Sequence, residues 1–168
     1  MKKIFFKDLE VTLFGEQLKV GDSLNNISDL YPAGSFAGET VEFDKEKYKI
    51  LTTYPSVDTS VCDFQVLELS KITSEYPEFD YIGISVDLPS ALNSYKSMHP
   101  TGSIKMYSDY RNKNFAKKAG LLIDELQLLG RSIFVLDKEN KVVYSEIKEQ
   151  VGEQINFEKL REVLNSIK

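Results

Sequence analysis

The alternation of apolar and polar positions divides the chain into short strands and a few helical faces. Lys3–Phe6 (KIFF) and Val11–Phe14 (VTLF) read as two opening strands, with a turn over Phe14–Gln17. Residues 21–39 hold Gly21, Asp22, Pro32, Gly34 and Gly38 and read mostly as loop, with one short strand near Ile27–Leu30. Glu39–Phe43 alternates as a strand, Asp44–Lys47 is a solvated turn, and Tyr48–Tyr54 is a further strand stopped by Pro55, which has no N–H for a sheet ladder. From Cys62 onward Val66, Leu69, Thr73 and Tyr76 share one helical face, widened by Leu67 and Ile72, and Pro77 ends it. Phe79–Val86 is a central strand. Pro89 opens a helix running to Met98, Ile104–Tyr107 is a short strand, and Asn112–Ala119 is a short helix closed by Gly120. Arg131–Leu136 and Lys141–Ser145 form a hairpin around Asp137–Asn140. The last helix, Phe157–Ile167, buries Phe157, Leu160, Val163, Leu164 and Ile167. This order predicts an α/β protein, a mixed central sheet flanked by helices behind an N-terminal β-hairpin, as one domain over residues 1–168.

Composition narrows the partners. The chain is 42% hydrophobic and 28% charged, as a soluble globular protein is, and its net charge of −5 with no basic stripe argues against nucleic acid as the main partner. Ile4–Phe6 is stopped by Lys7 and Asp8, too short for a signal-peptide core, and no apolar run approaches the length of a membrane span. One cysteine, Cys62, forms no internal disulfide, which points to a reducing cytoplasm. One cysteine with one histidine assembles no common transition-metal site, and Asp137–Asn140 lacks calcium-loop spacing, so neither metal nor cofactor is expected.

Candidate chemistry gathers at Cys62. Ser60-Val-Cys-Asp63 has the S-x-x-D spacing of a capping box, which makes Ser60 the N-cap and sets Cys62 in the first helical turn. Free backbone N–H groups and the positive end of the helix dipole favour a thiolate there. Asp63 works against it, because a neighbouring carboxylate disfavours a second negative charge; use in the capping box would turn it partly aside. The bland alternative is a cysteine that fills the core.

The residues also carry a resemblance. Pro55, Thr59 and Cys62 match the P-x-x-x-T-x-x-C motif of peroxiredoxins, and the fuller string Pro55-Ser56, Asp58-Thr59, Val61-Cys62 resembles the thiol peroxidase branch of that superfamily. Glu125-Leu126-Gln127-Leu128-Leu129-Gly130-Arg131 is similar to the context of that branch's active-site arginine. The resemblance implies a thioredoxin-like fold and a peroxidase in which Cys62 attacks a hydroperoxide and becomes a sulfenic acid. Arg131 is then the activating cation, where by itself it reads as a surface salt bridge; Pro55 fixes and shields the loop, and Thr59 offers a hydroxyl beside the sulfur, although an ordinary helix-cap threonine fits Thr59 equally well. The resemblance also implies a homodimer. Arg111 reads as a structural or dimer contact and Arg161 as a solvated helix residue. Tyr54 lines the entrance, helps a dimer contact or simply ends its strand. Tyr54, Val61 and Phe64 point weakly to organic hydroperoxides.

One departure matters. Asp87-Leu88-Pro89-Ser90-Ala91 resembles the stretch ahead of the branch's second, resolving cysteine, but Lys96 stands where that cysteine would be. The implied cycle therefore uses one cysteine and an external thiol, either a thioredoxin-like protein or a small molecule. A redox sensor with an oxidisable Cys62 and negligible turnover is the rival. A cysteine hydrolase would need His99 as base, and His99 precedes Pro100 in a loop-like, exposed stretch.

Thiol ionisation alone is a weak engine. A fall in thiol pKa from about 8.5 to about 6 raises the thiolate fraction at neutral pH roughly thirtyfold. The accompanying loss of nucleophilicity, about tenfold if peroxides behave as disulfides do, leaves a net gain of about two- to threefold. Most of a peroxidase's acceleration must come from aligning and polarising the peroxide.

Overall fold

The computed structural model describes residues 1–168. In chain order its elements are β1 (Lys2–Phe6), β2 (Leu9–Leu13), β3 (Asn26–Pro32), β4 (Glu39–Glu42), β5 (Lys49–Thr53), α1 (Ser60–Glu75), β6 (Asp80–Ser85), α2 (Pro89–Met98), β7 (Lys105–Ser108), α3 (Asn114–Lys118), β8 (Leu122–Ile123), β9 (Leu128–Leu129), β10 (Ser132–Leu136), β11 (Val142–Ile147) and α4 (Phe157–Ile167). Seven strands form the main sheet in the order β11-β10-β5-β6-β7-β3-β4, and β1-β2-β8-β9 form a smaller one. β5, β6 and β7 run parallel, as strands joined through helices do, while β10 and β3 flank them antiparallel.

Every residue of β5 is buried. Its alternate side chains serve two cores, one on each face of the sheet. Ile50 joins Tyr81, Ile133 and Val135 beneath α1 and α4, whereas Leu51 joins Ile82, Ile84, Phe134 and Leu136 on the side of α3. A third, small core of Ile4, Val11, Leu13, Ile123 and Val151 fastens the N-terminal hairpin.

Three differences from the sequence expectation stand out. β8 and β9, a short hairpin with Gln127 at φ 57°, extend the N-terminal hairpin into a sheet and were not foreseen. β3 is longer than the expected Ile27–Leu30. Arg161 is not simply solvated: its Nε lies 2.9 Å from Glu75 and its Nη2 3.7 Å from Glu68, so it ties α4 to α1.

Candidate active site

The chain leaves β5 at Thr53, passes buried Tyr54 and Pro55, and turns through Ser56–Thr59 into α1. Asp87, just past β6, anchors this turn. Its carboxylate accepts from Ser56 Oγ at 2.6 Å, Val57 N at 3.0 Å and Ser85 Oγ at 2.7 Å. The loop is thus held at the carboxyl ends of the parallel strands, where α/β folds commonly build sites.

Thr59, not Ser60, is the N-cap of α1. Its backbone is extended (φ −112°, ψ 149°), and its Oγ1 accepts from Cys62 N at 3.3 Å while donating to Ser56 O at 3.3 Å. The cap lies one residue ahead of the capping-box expectation because the anchored turn presents the threonine hydroxyl to the first turn of the helix. Asp63 makes no return bond to a cap. It reaches across to α2, where Tyr95 Oη donates to it at 2.5 Å.

Cys62 lies in the first turn of α1 and has no solvent exposure. Arg131 meets it from the same face of the sheet, the face that Ile133 and Val135 share. Ser132 pairs with Thr53, so one step earlier Arg131 stands beside the end of β5, where the chain turns toward α1. Its Nη2 lies 3.2 Å from Cys62 Sγ, its Nη1 donates to Gln65 Oε1 at 2.6 Å, and its Nε donates to Val151 O at 2.7 Å. Arg131 is 2% exposed and forms no ion pair with any carboxylate. A buried cation without a counter-charge is costly, and Cys62 is the one ionisable acid at its tip.

Gln65 was not foreseen. It follows Cys62 by three residues and so shares its face of α1, fully buried. Its Nε2 donates to Thr52 Oγ1 at 2.6 Å and Thr53 O at 3.1 Å, which fixes the carbonyl end toward the guanidinium. The signal available in sequence was a glutamine on an otherwise apolar helical face.

Two other expectations change, the entrance role of Tyr54 and the apolar wall beside the sulfur. Tyr54 does not line an entrance: it is fully buried, its hydroxyl without a partner, fitted against Gly83, where an added Cβ would come within 3.1 Å of that hydroxyl. Burial first, then the charges of Asp87 and Cys62, pushes its hydroxyl pKa well up. Phe64 points outward at 49% exposure, so Tyr54, Val61 and Phe64 do not form one apolar wall. His99 ends α2, stacks on Tyr95 with ring centroids 4.2 Å apart, and sits 3.9 Å from Asp63. It stands in the bend ahead of Pro100 and is exposed, as its sequence context implied. Lys96 is exposed on α2. Arg111 donates to Tyr31 Oη at 3.2 Å. A cavity of about 620 Å³ opens between the Ser56–Ser60 turn and α2, with Thr59, Asp63, Asp87, Tyr95 and His99 among its walls.

Comparison with known proteins agrees with this arrangement. Residues 34–145 match the model of the AhpC/TSA family. The chain belongs to the AhpC/TSA family. A thiol peroxidase of Bacillus subtilis is 35% identical over 159 residues, covering 95% of this chain and 94% of that one. One of Clostridium acetobutylicum is 33% identical over 166 residues, covering 99% of both. Among solved structures, a peroxiredoxin-like protein from Aquifex aeolicus superposes with a TM-score of 0.89 at 27% identity, covering 100% of this chain and 98% of that one. This AhpC/TSA member thus has the peroxiredoxin fold, a thioredoxin-like core with the added N-terminal hairpin. No helix in it is long and apolar enough to cross a membrane.

Proposed function

We propose that the protein is a thiol-dependent peroxidase that reduces hydroperoxides, organic ones and hydrogen peroxide, in a one-cysteine cycle at Cys62. The thiolate attacks the terminal peroxide oxygen, the O–O bond breaks, and the departing alkoxide or hydroxide takes up a proton. Sulfur loses two electrons and becomes the sulfenic acid. An external thiol then condenses with it, releasing water and leaving a mixed disulfide, and a second thiol frees Cys62 as the external disulfide forms. Arg131 holds the thiolate and meets the charge that develops on the peroxide oxygens. Thr59 offers its hydroxyl, which caps α1 at Cys62 N, to the peroxide, and Pro55 fixes that turn without presenting an unpaired N–H.

The observation that carries this reading is the buried Arg131 guanidinium, paired with no carboxylate and 3.2 Å from the sulfur. A cysteine that merely filled the core would not call for a cation at its tip. The thiol peroxidases of similar sequence support it.

The test is steady-state consumption of cumene hydroperoxide and hydrogen peroxide with dithiothreitol, alongside mass spectrometry of Cys62. Continuous turnover that Cys62→Ser abolishes is expected. Consumption of a single equivalent followed by silence would replace the enzyme with a redox sensor, and turnover surviving in the serine variant would remove Cys62 from the chemistry. The lone cysteine also supports residence in a reducing cytoplasm. Exposed Phe36, Phe64, Leu88 and Met98 offer apolar surface for a homodimer, which light scattering of the purified protein would detect.

A further inference from the structure

A carboxylate next to a reacting thiolate is an electrostatic handicap, and this chain has Asp63 directly after Cys62. The structure deals with it by an unexpected route. Tyr95, one and a half turns into α2, has its ring buried and its hydroxyl 2.5 Å from Asp63 Oδ1. The ring is itself held by His99, which stacks on it and lies against the Tyr95 carbonyl, with Nδ1 to O at 3.2 Å. His99 Nε2 stands 3.9 Å from the same carboxylate oxygen. Asp63 therefore forms part of the cavity wall between the turn and α2.

We propose that Tyr95 is a positioning residue for the Cys62 sulfur: its hydroxyl draws the Asp63 carboxylate onto α2, so the charge faces the cavity and not the reacting atom. The proposal rests on the reading of Cys62 as the reacting group, and it adds a role on α2 for a residue outside the peroxiredoxin motif. The titratable groups around the sulfur are Arg131 beside β10, 3.2 Å away, Tyr54 after β5 and Tyr95 from α2, and Asp63 follows Cys62 on α1 itself. Asp58, Asp87 and His99 share the cavity with Asp63. Of these, Asp63 alone is next to Cys62 in the chain, and Tyr95 is its hydrogen-bond donor at 2.5 Å, with His99 Nε2 farther off at 3.9 Å.

A loosened helix and a displaced charge have different signatures. The rate of Cys62 alkylation by iodoacetamide, followed against pH, has a plateau that reads access to the sulfur and a midpoint that reads the charge around it. In Tyr95→Phe the midpoint is expected to rise by roughly half a unit to one unit, slowing alkylation about three- to tenfold at pH values well below the midpoint. Any gain in access appears in the plateau alone. In an Asp63→Asn background the same tyrosine change is expected to leave the midpoint where it was. An unchanged midpoint in Tyr95→Phe, or an equal rise with and without Asp63, overturns the proposal. Alkylation needs no peroxide turnover, so this result stands apart from that of the peroxidase assay.

Discussion

Arg131 carries its charge where water cannot share it, and three fixed acceptors hold its fork: the sulfur, Gln65 Oε1 and Val151 O. Gln65 is locked in turn by Thr52 and Thr53. Such a guanidinium is pre-organised for a developing oxyanion and costs little reorganisation during reaction. Arg131→Met, which keeps most of the volume, should slow oxidation of Cys62 by hydroperoxide at least ~100-fold. Stopped-flow measurement at a pH high enough to ionise every thiol checks it, because the roughly thirtyfold gain in thiolate fraction vanishes there and only the effect on the reacting peroxide can still slow the variant. Cys62, Thr59, Pro55 and Arg131 were legible as candidates because each stands in a short string that resembles the thiol peroxidases, and only Cys62 and Thr59 had a local argument beside it. Gln65 and Asp87 were not: a glutamine in a helix and an aspartate after a strand acquire their roles only from what lies across the fold.

The elements around the site show where sequence patterns stop being decisive. Thr59 and Ser60 are adjacent hydroxyls, and both can cap a helix; the Asp87-anchored turn chooses between them. The strands and helices of strong periodicity fell close to expectation, whereas β8 and β9 are two residues each and exist because β2 offers an edge to β8, which in turn pairs with β9. α3 is short and depends on Asp109, whose Oδ2 accepts from Ala116 N at 2.8 Å while its other oxygen is buried without a partner. Burial pushes the Asp109 carboxyl up to about 6, only partly opposed by its backbone hydrogen bonds. A carboxyl raised on folding contributes stability that is whole below its unfolded value, about 3.9, and is lost as pH rises through about 6. Asp109→Asn does not titrate, so its stability relative to the parent should improve by roughly 2 kcal/mol between those two values and stay level above them. Urea melts of both proteins across that range measure the difference, and parallel curves would refute the assignment.

At the scale of the whole molecule, the sheet and its two cores were implied by element order, but the route by which distant parts support the site was not. Phe5 N donates to Glu149 O at 2.7 Å, and Phe5 O accepts from Val151 N at 2.8 Å. Val151 O then holds Arg131 Nε. The N-terminal hairpin thereby braces the guanidinium through one loop. Phe5→Pro removes the first of these bonds without touching the β1–β2 ladder, and it is expected to slow Cys62 oxidation by about two- to thirtyfold, with faster hydrogen exchange at Val151. A variant with unaltered exchange and rate would sever that link.

The missing carboxylate beside Arg131 has one more consequence. On the proposed chemistry, turning the sulfur into a neutral sulfenic acid strips the guanidinium of its counter-ion, so the oxidised site is under electrostatic stress that the resting site lacks. The reducing thiol must uncover a sulfur that is sealed at rest, and the lock slackens at the moment the key is needed.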